Sequence, residues 1–250
     1  MSNPVFELPS GNLNEWRDCV LERMRLLVVA GVTTGAVVAG LVSRLAMLLL
    51  RTTSPERVIG QQSDDDFTIG RFTFAGTYNL VVLGAIVGMV GFLVYRLVKP
   101  WLLGPHWFQR ATLGIASGIV AGSMLVHADG IDFTVLKPKW LAIGLFIALP
   151  ALFAVVMGIV VDSVSRPESW TARGAWRWLL PVIVMACVPV AVIFIAIAAV
   201  PIGVWALARD VDFPAEIRAV EWLPSVVRGA WLLIVAIGLA ALVSDVTALI

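Results

Sequence analysis

The feature that most constrains this chain is a run of 31 residues, 178–208, without a single charged side chain. About 20 helical residues cross the hydrocarbon core of a bilayer, so the run is longer than one upright transmembrane helix needs. Five more apolar runs are transmembrane candidates, the third of them short and glycine-rich: 26–50, 78–98, 111–126, 140–161 and 229–250. The sequence therefore predicts an all-α integral membrane protein, a bundle of six transmembrane helices.

Composition supports membrane embedding and excludes one class of partner. Only 14% of the 250 residues are charged, whereas about a quarter are charged in soluble globular domains. The formal net charge of +1 provides no basic face for nucleic acid. The lipid bilayer is the one partner that composition predicts.

The polar N-terminal segment, 1–25, is expected to precede a transmembrane domain at 26–250. Residues 1–22 contain no apolar core of the kind that a cleaved signal peptide needs, so the first span is expected to stay in the mature protein. Leu13, Trp16, Val20 and Met24 recur at helical spacing. This pattern fits a helix on the membrane surface and fits equally an N-terminal extension of the first span.

The long run 178–208 contains Pro181, Pro189 and Pro201. Each proline removes a backbone donor and can bend or end a helix. The preferred interpretation is a fifth span that ends near Pro201 and continues as an interfacial turn. A broken pair of re-entrant half-helices, as found in transporters, is the alternative.

Orientation follows the distribution of Lys and Arg between loops. Alternating loops hold nine of these residues on the side of the N-terminus and eight on the other side. The short segment 95–110, which has basic residues and no acid, favours placing its side in the cytoplasm. We therefore predict that both termini are cytoplasmic.

Glycines at four-residue spacing predict closely packed helices in the first three spans. They are Gly31 and Gly35 in span 1, Gly84 and Gly88 in span 2, and Gly114, Gly118 and Gly122 in span 3. Helices in lipid associate through close backbone contact, which small residues permit. Packing within the chain is the preferred interpretation, and a homodimer face is the alternative.

Arg44 is the one charge well inside a predicted span, six residues before Leu50 and so about 10 Å below the end of that span. Its long side chain could reach the surface by snorkelling. The other interpretation is a buried partner for a carboxylate or an anionic ligand, since intramembrane charges are normally paired.

Three loops on one predicted side of the membrane share a pattern of aspartates followed by phenylalanine. They read SDDDFT, DGIDFT and DVDFP and begin at Ser63, Asp129 and Asp210. Carboxylates of Asp64, Asp65, Asp66, Asp129 and Asp132 could together bind a divalent cation. Solvated or helix-capping loops are the preferred interpretation, and ion pairs with Arg44 or Arg71 are the third.

Motifs for enzymatic chemistry are missing from the sequence. It has no metalloprotease, nucleophile-elbow, phosphate-loop or dinucleotide-binding signature. Its two cysteines, Cys19 and Cys187, have no metal-binding spacing. The expectation is a protein without enzymatic activity and without a cofactor.

Residues 43–73, SRLAMLLLRTTSPERVIGQQSDDDFTIGRFT, and 127–150, HADGIDFTVLKPKWLAIGLFIALP, resemble a group of small multi-pass membrane proteins of high-GC Gram-positive bacteria. The resemblance implies a bacterial inner-membrane protein and implies no catalytic residue. The expected function is that of an interaction or accessory subunit, with a membrane-protein partner or a second copy of the chain. A small transporter or channel with an acidic outer mouth is the alternative.

Overall fold

The described helices follow the apolar runs of the sequence. The computed structural model describes residues 21–55, 73–127, 136–173, 177–185 and 222–249, together with Gly130 and Phe133. All regular structure in these residues is helical. The all-α prediction is confirmed for this part of the chain.

Five long helices and one short helix make up the described bundle. Helix α1 spans Leu21–Thr53, α2 spans Phe74–Val98, α3 spans His106–Leu125, α4 spans Lys139–Val164, α5 spans Leu180–Met185 and α6 spans Leu223–Leu249. A turn of 3-10 helix at Lys99–Trp101 follows α2, and another at Arg177–Leu179 precedes α5. Four helices are long and apolar enough to cross a membrane: α1, α2 with its 3-10 turn, α4 and α6.

Every long helix begins earlier than its apolar run, because polar residues can occupy a first helical turn. At the start of α2, the Thr73 side chain accepts a hydrogen bond from the Gly76 backbone N–H at 3.1 Å. This cap satisfies one of the free donors of the first turn. At the start of α1, Leu21–Arg25 are helical, so the helix begins before the predicted boundary at residue 26.

The long helices pack in two pairs. Helix α1 packs along α2, and α3 packs along α4. Helix α4 also contacts α1 and α2 and so joins the pairs, while α6 packs against α3. The resulting core is apolar, with Leu27, Met89 and Met157 among its most deeply buried side chains.

Glycine brings the backbones of α1 and α2 into direct contact. Two stretches of α1, Leu27–Val32 and Gly35–Val42, are wound as π-helix. A Cβ atom added to Gly84 would lie 2.6 Å from the Gly35 carbonyl oxygen, and one added to Gly35 would lie 2.7 Å from the Gly88 Cα. Both distances are shorter than real Cβ contacts, so only glycine fits at this crossing.

The bundle has two ends, the Asp162 end and the Lys139 end. The Asp162 end holds the start of α1, the α2–α3 turn and the end of α4. The Lys139 end holds the end of α1 and the start of α4, where Ser54 Oγ donates to the Lys137 carbonyl at 3.1 Å.

Helix α6 runs from the Asp162 end to the Lys139 end. Near its start, Arg228 Nε donates to the Trp101 carbonyl at 3.0 Å. At its end, the Leu249 carbonyl accepts a hydrogen bond from Lys139 Nζ at 2.7 Å. Helix α6 is therefore parallel to α1 and α3.

This direction contradicts the sequence prediction for the sixth span. Six alternating crossings place Arg228 on the side of Lys137 and Lys139, and the C-terminus on the side of Leu21. In the structure Leu249 and Leu21 lie at opposite ends of the bundle. Residues 1–20 and 250 lie outside the described residues, so the location of the two termini stays a prediction. Most of the predicted fifth span, 186–208, lies outside the described residues.

Candidate functional site

The strongest polar cluster in the described residues surrounds the Asp162 carboxylate. Lys99 Nζ donates to Oδ1 at 2.8 Å, and Arg110 NH2 donates to Oδ2 at 2.8 Å. His106 Nδ1 lies 3.8 Å from Oδ2. Asp162 thus connects the α2–α3 turn and the second turn of α3 to the last turn of α4.

The local backbone places these cations beside Asp162. Gly104 has a φ of +88°, a left-handed conformation that glycine adopts without a steric penalty, and it reverses the chain between α2 and α3. Gln109 Nε2 donates to the Gly104 carbonyl at 3.0 Å and holds this turn. One turn before Asp162, a Cβ on Gly158 would lie 3.1 Å from Arg110 Cγ, so glycine makes room for the arginine stem.

Charge in the Asp162 cluster is unbalanced. One carboxylate, whose side chain is 19% exposed, faces the two permanent cations Lys99 and Arg110. Lys99 Nζ also lies 5.3 Å from the centre of the Tyr95 ring, within cation–π range. The cluster therefore has a net positive charge of about one unit from Lys99, Arg110 and Asp162 alone.

A second network fixes the segment after α4 to the start of α1. Arg25 is only 6% exposed. Its guanidinium donates to Ser169 Oγ at 3.2 Å and to the Val164 carbonyl at 3.2 Å, and it forms an ion pair with Glu22. Arg25 thus links α1 to both the end of α4 and the loop that follows it.

Basic residues concentrate at the Asp162 end. The described residues place nine there: Arg23, Arg25, Arg96, Lys99, Arg110, Arg166, Arg173, Arg177 and Arg228. The acids at this end are Glu22, Asp162 and Glu168. The Lys139 end holds three described basic residues, Arg51, Lys137 and Lys139, with Arg44 half-buried within α1.

The predicted acidic mouth cannot be compared with this geometry. Asp64, Asp65, Asp66, Asp129 and Asp132 all lie outside the described residues. Within the described ranges, no three His, Cys, Asp or Glu side chains form a group that could hold a metal ion.

The structure divides the predicted glycine set between two helix pairs. Gly31 and Gly35 of α1 meet Gly84 and Gly88 of α2. The glycines of α3 instead face α4: a Cβ on Gly114 would lie 2.7 Å from a Val155 methyl group, and Gly118 and Gly122 face Ile147. The single packed unit expected from spans 1 to 3 is therefore replaced by two pairs, with α4 as the partner of α3.

Sequence reasoning missed Asp162. The predicted fourth span ended at Val161, so this aspartate was treated as the first residue of a loop. One signal was present, because Asp162 is the only acid between Asp132 and Glu168 and directly follows an apolar run. A carboxylate at the end of a transmembrane helix needs a cationic partner, and Lys99 and Arg110 lie in the segment that joins the second and third apolar runs.

Comparison with known proteins adds no assignment: no family model, no curated protein and no solved structure matches this chain. The resemblance carried by residues 43–73 and 127–150 remains a prediction.

Proposed function

We propose that this chain is a non-enzymatic integral membrane component that acts as an interaction or accessory subunit in a bacterial cytoplasmic membrane. Four described helices have the length and hydropathy for crossing a bilayer. The partner would be another membrane protein or a second copy of the chain.

The main support for this proposal is that the helices of each pair pack against each other without a gap. The backbones of α1 and α2 touch at Gly35 and Gly84, and α3 touches α4 at Gly114 and Gly118. A conduction path needs a hydrated gap lined by polar groups, whereas these contacts leave no room between paired helices. Function is therefore assigned to the outer surfaces of the bundle rather than to a path through it.

The direction of α6 supports a definite orientation. It brings Arg228 to the Asp162 end, so that at least nine of the 18 Lys and Arg residues of the chain belong to that end. Cytoplasmic loops are rich in Lys and Arg. We place the Asp162 end in the cytoplasm and the Lys139 end outside.

The outer face of α6 offers a contact surface. Leu233 and Ile237, four residues apart on this helix, are 61% and 62% exposed. Leu242 on the same helix is buried. In a membrane such an exposed apolar face contacts either lipid or another transmembrane helix.

Photo-crosslinking distinguishes these two possibilities. A photoreactive amino acid at Leu233 or Ile237 should crosslink one defined membrane protein, or a second copy of the chain, in native membranes. The same probe at Leu242 is the matched control and should give only an internal product. The proposal is wrong if both exposed positions crosslink only lipid and the purified chain conducts ions or solutes in liposomes.

A further inference from the structure

The turn between α2 and α3 combines cations and apolar side chains at one edge of the bundle. Lys99 and Arg110 lie on its inner side, bound to Asp162. The His106 side chain is 76% exposed, and Leu103 and Trp107 are exposed near it in the sequence. This arrangement is amphipathic within a few residues of the end of a membrane-length helix.

The cations of this turn have more donors than the described residues use. A lysine ammonium has three N–H donors and an arginine guanidinium has five. Each gives one hydrogen bond to Asp162, and Arg110 Nε is buried with no hydrogen-bond partner. The remaining donors and the net positive charge favour an anion with several oxygen atoms.

We propose that this turn binds the headgroup phosphate of an anionic phospholipid. Lys99, Arg110 and His106 contact the phosphate oxygens, while Leu103 and Trp107 lie against the glycerol and upper acyl chain. Charge-assisted hydrogen bonds from arginine and lysine are strong with phosphate. The excess positive charge also disfavours zwitterionic headgroups, because their ammonium group is repelled.

A lipid fits this turn better than a soluble phosphate ester. Tryptophan concentrates at the membrane interface, where headgroups lie, and Trp107 packs edge to face with Phe108 at 5.8 Å. A soluble ester would leave the exposed Leu103 and Trp107 without a partner. The inference rests on the proposed membrane placement, with the Asp162 end in the cytoplasm.

Native mass spectrometry of the full chain in detergent tests the inference. Phosphatidylglycerol should bind at least tenfold more tightly than phosphatidylcholine. Lys99→Gln should weaken phosphatidylglycerol binding about tenfold, the loss expected for one hydrogen bond to a charged group. Lys137→Gln is the control, since this exposed lysine lies at the Lys139 end, and it should leave binding unchanged.

Asp162→Asn separates lipid binding from a purely structural role. The change removes the competing carboxylate and should preserve or tighten phosphatidylglycerol binding, even though the bundle loses an ion pair. A loss equal to that in Lys99→Gln overturns the inference, as does equal affinity for the two lipids. Equal binding of soluble glycerol phosphate would assign the turn to a soluble ester and reject the lipid. Photo-crosslinking at Leu233 and Ile237 tests the proposed function independently, because it reports a protein contact of α6 and does not depend on lipid binding at the α2–α3 turn.

Discussion

At the residue scale, Asp162 joins the α2–α3 turn and α3 to the end of α4. Its two hydrogen-bond partners are 63 and 52 positions away in the sequence, so the interaction closes two large loops of the chain. Removing the carboxylate would leave two cations facing each other beside an apolar core. Their partial exposure lets both side chains turn toward water, which limits the penalty.

Asp162→Asn is therefore expected to destabilise the lipid-free chain by about 1–2 kcal/mol, less than the loss for a fully buried ion pair. Thermal unfolding in detergent measures the change as a lower midpoint. Glu168→Gln is the matched control, because Glu168 is an exposed acid at the same end. Equal midpoints for the two variants would show that the Asp162 contacts contribute nothing to stability.

The sequence predicts helices more reliably than it predicts such contacts. Apolar runs mark α1, α2, α4 and α6 because a membrane-crossing helix needs only length and low charge. The Asp162 cluster depends on which helices become neighbours, and no local pattern specifies that. The direction of α6 was not predicted for a related reason, since it was derived from the number of apolar runs and not from the contacts that the helix makes.

At the element scale, the contact between α1 and α2 depends on backbone approach rather than on side chains. Gly35, in the π-helical part of α1, and Gly88, in α2, lie at the centre of this contact. Because the atoms opposite Gly35 belong to the α2 backbone, they cannot move aside as a flexible side chain would. Even one added methyl group must separate the two helices.

Gly35→Ala is expected to destabilise the bundle by about 2 kcal/mol or more, since overpacking a close contact costs roughly 1–3 kcal/mol. Gly144→Ala supplies the control, because no atom lies within 4 Å of the position its Cβ would take in α4. That substitution should be neutral or stabilise by up to about 1 kcal/mol through helix propensity. Thermal unfolding of both variants in the same detergent gives the comparison, and a tolerant Gly35→Ala would contradict the close contact.

At the scale of the whole molecule, the arrangement has a definite polarity. The start of α1, the α2–α3 turn, the end of α4 and the start of α6 share the Asp162 end. The end of α1, the start of α4 and the end of α6 share the Lys139 end. This distribution differs from that of six alternating spans at one place, the last helix.

Cysteine accessibility tests the polarity directly. In a background without Cys19 and Cys187, single cysteines at Leu103 and Ala172 should react with an impermeant thiol reagent only from the cytoplasmic side. Cysteines at Pro55 and Thr247 should react only from outside. Six alternating crossings predict instead that Thr247 labels together with Ala172, so this position alone decides between the two topologies.

In both hydrogen bonds at the ends of α6, the donor and the acceptor positions differ in how well they tolerate substitution. Arg228 and Lys139 supply the donors, but both acceptors are main-chain carbonyls, those of Trp101 and Leu249. Every amino acid has a carbonyl group, so positions 101 and 249 can change without losing the acceptor. The hydrogen bonds at the two ends of α6 therefore depend on the side chains of Arg228 and Lys139. Substitution of Arg228 or Lys139 would release one end of the helix. Substitution of Trp101 or Leu249 would leave both hydrogen bonds in place.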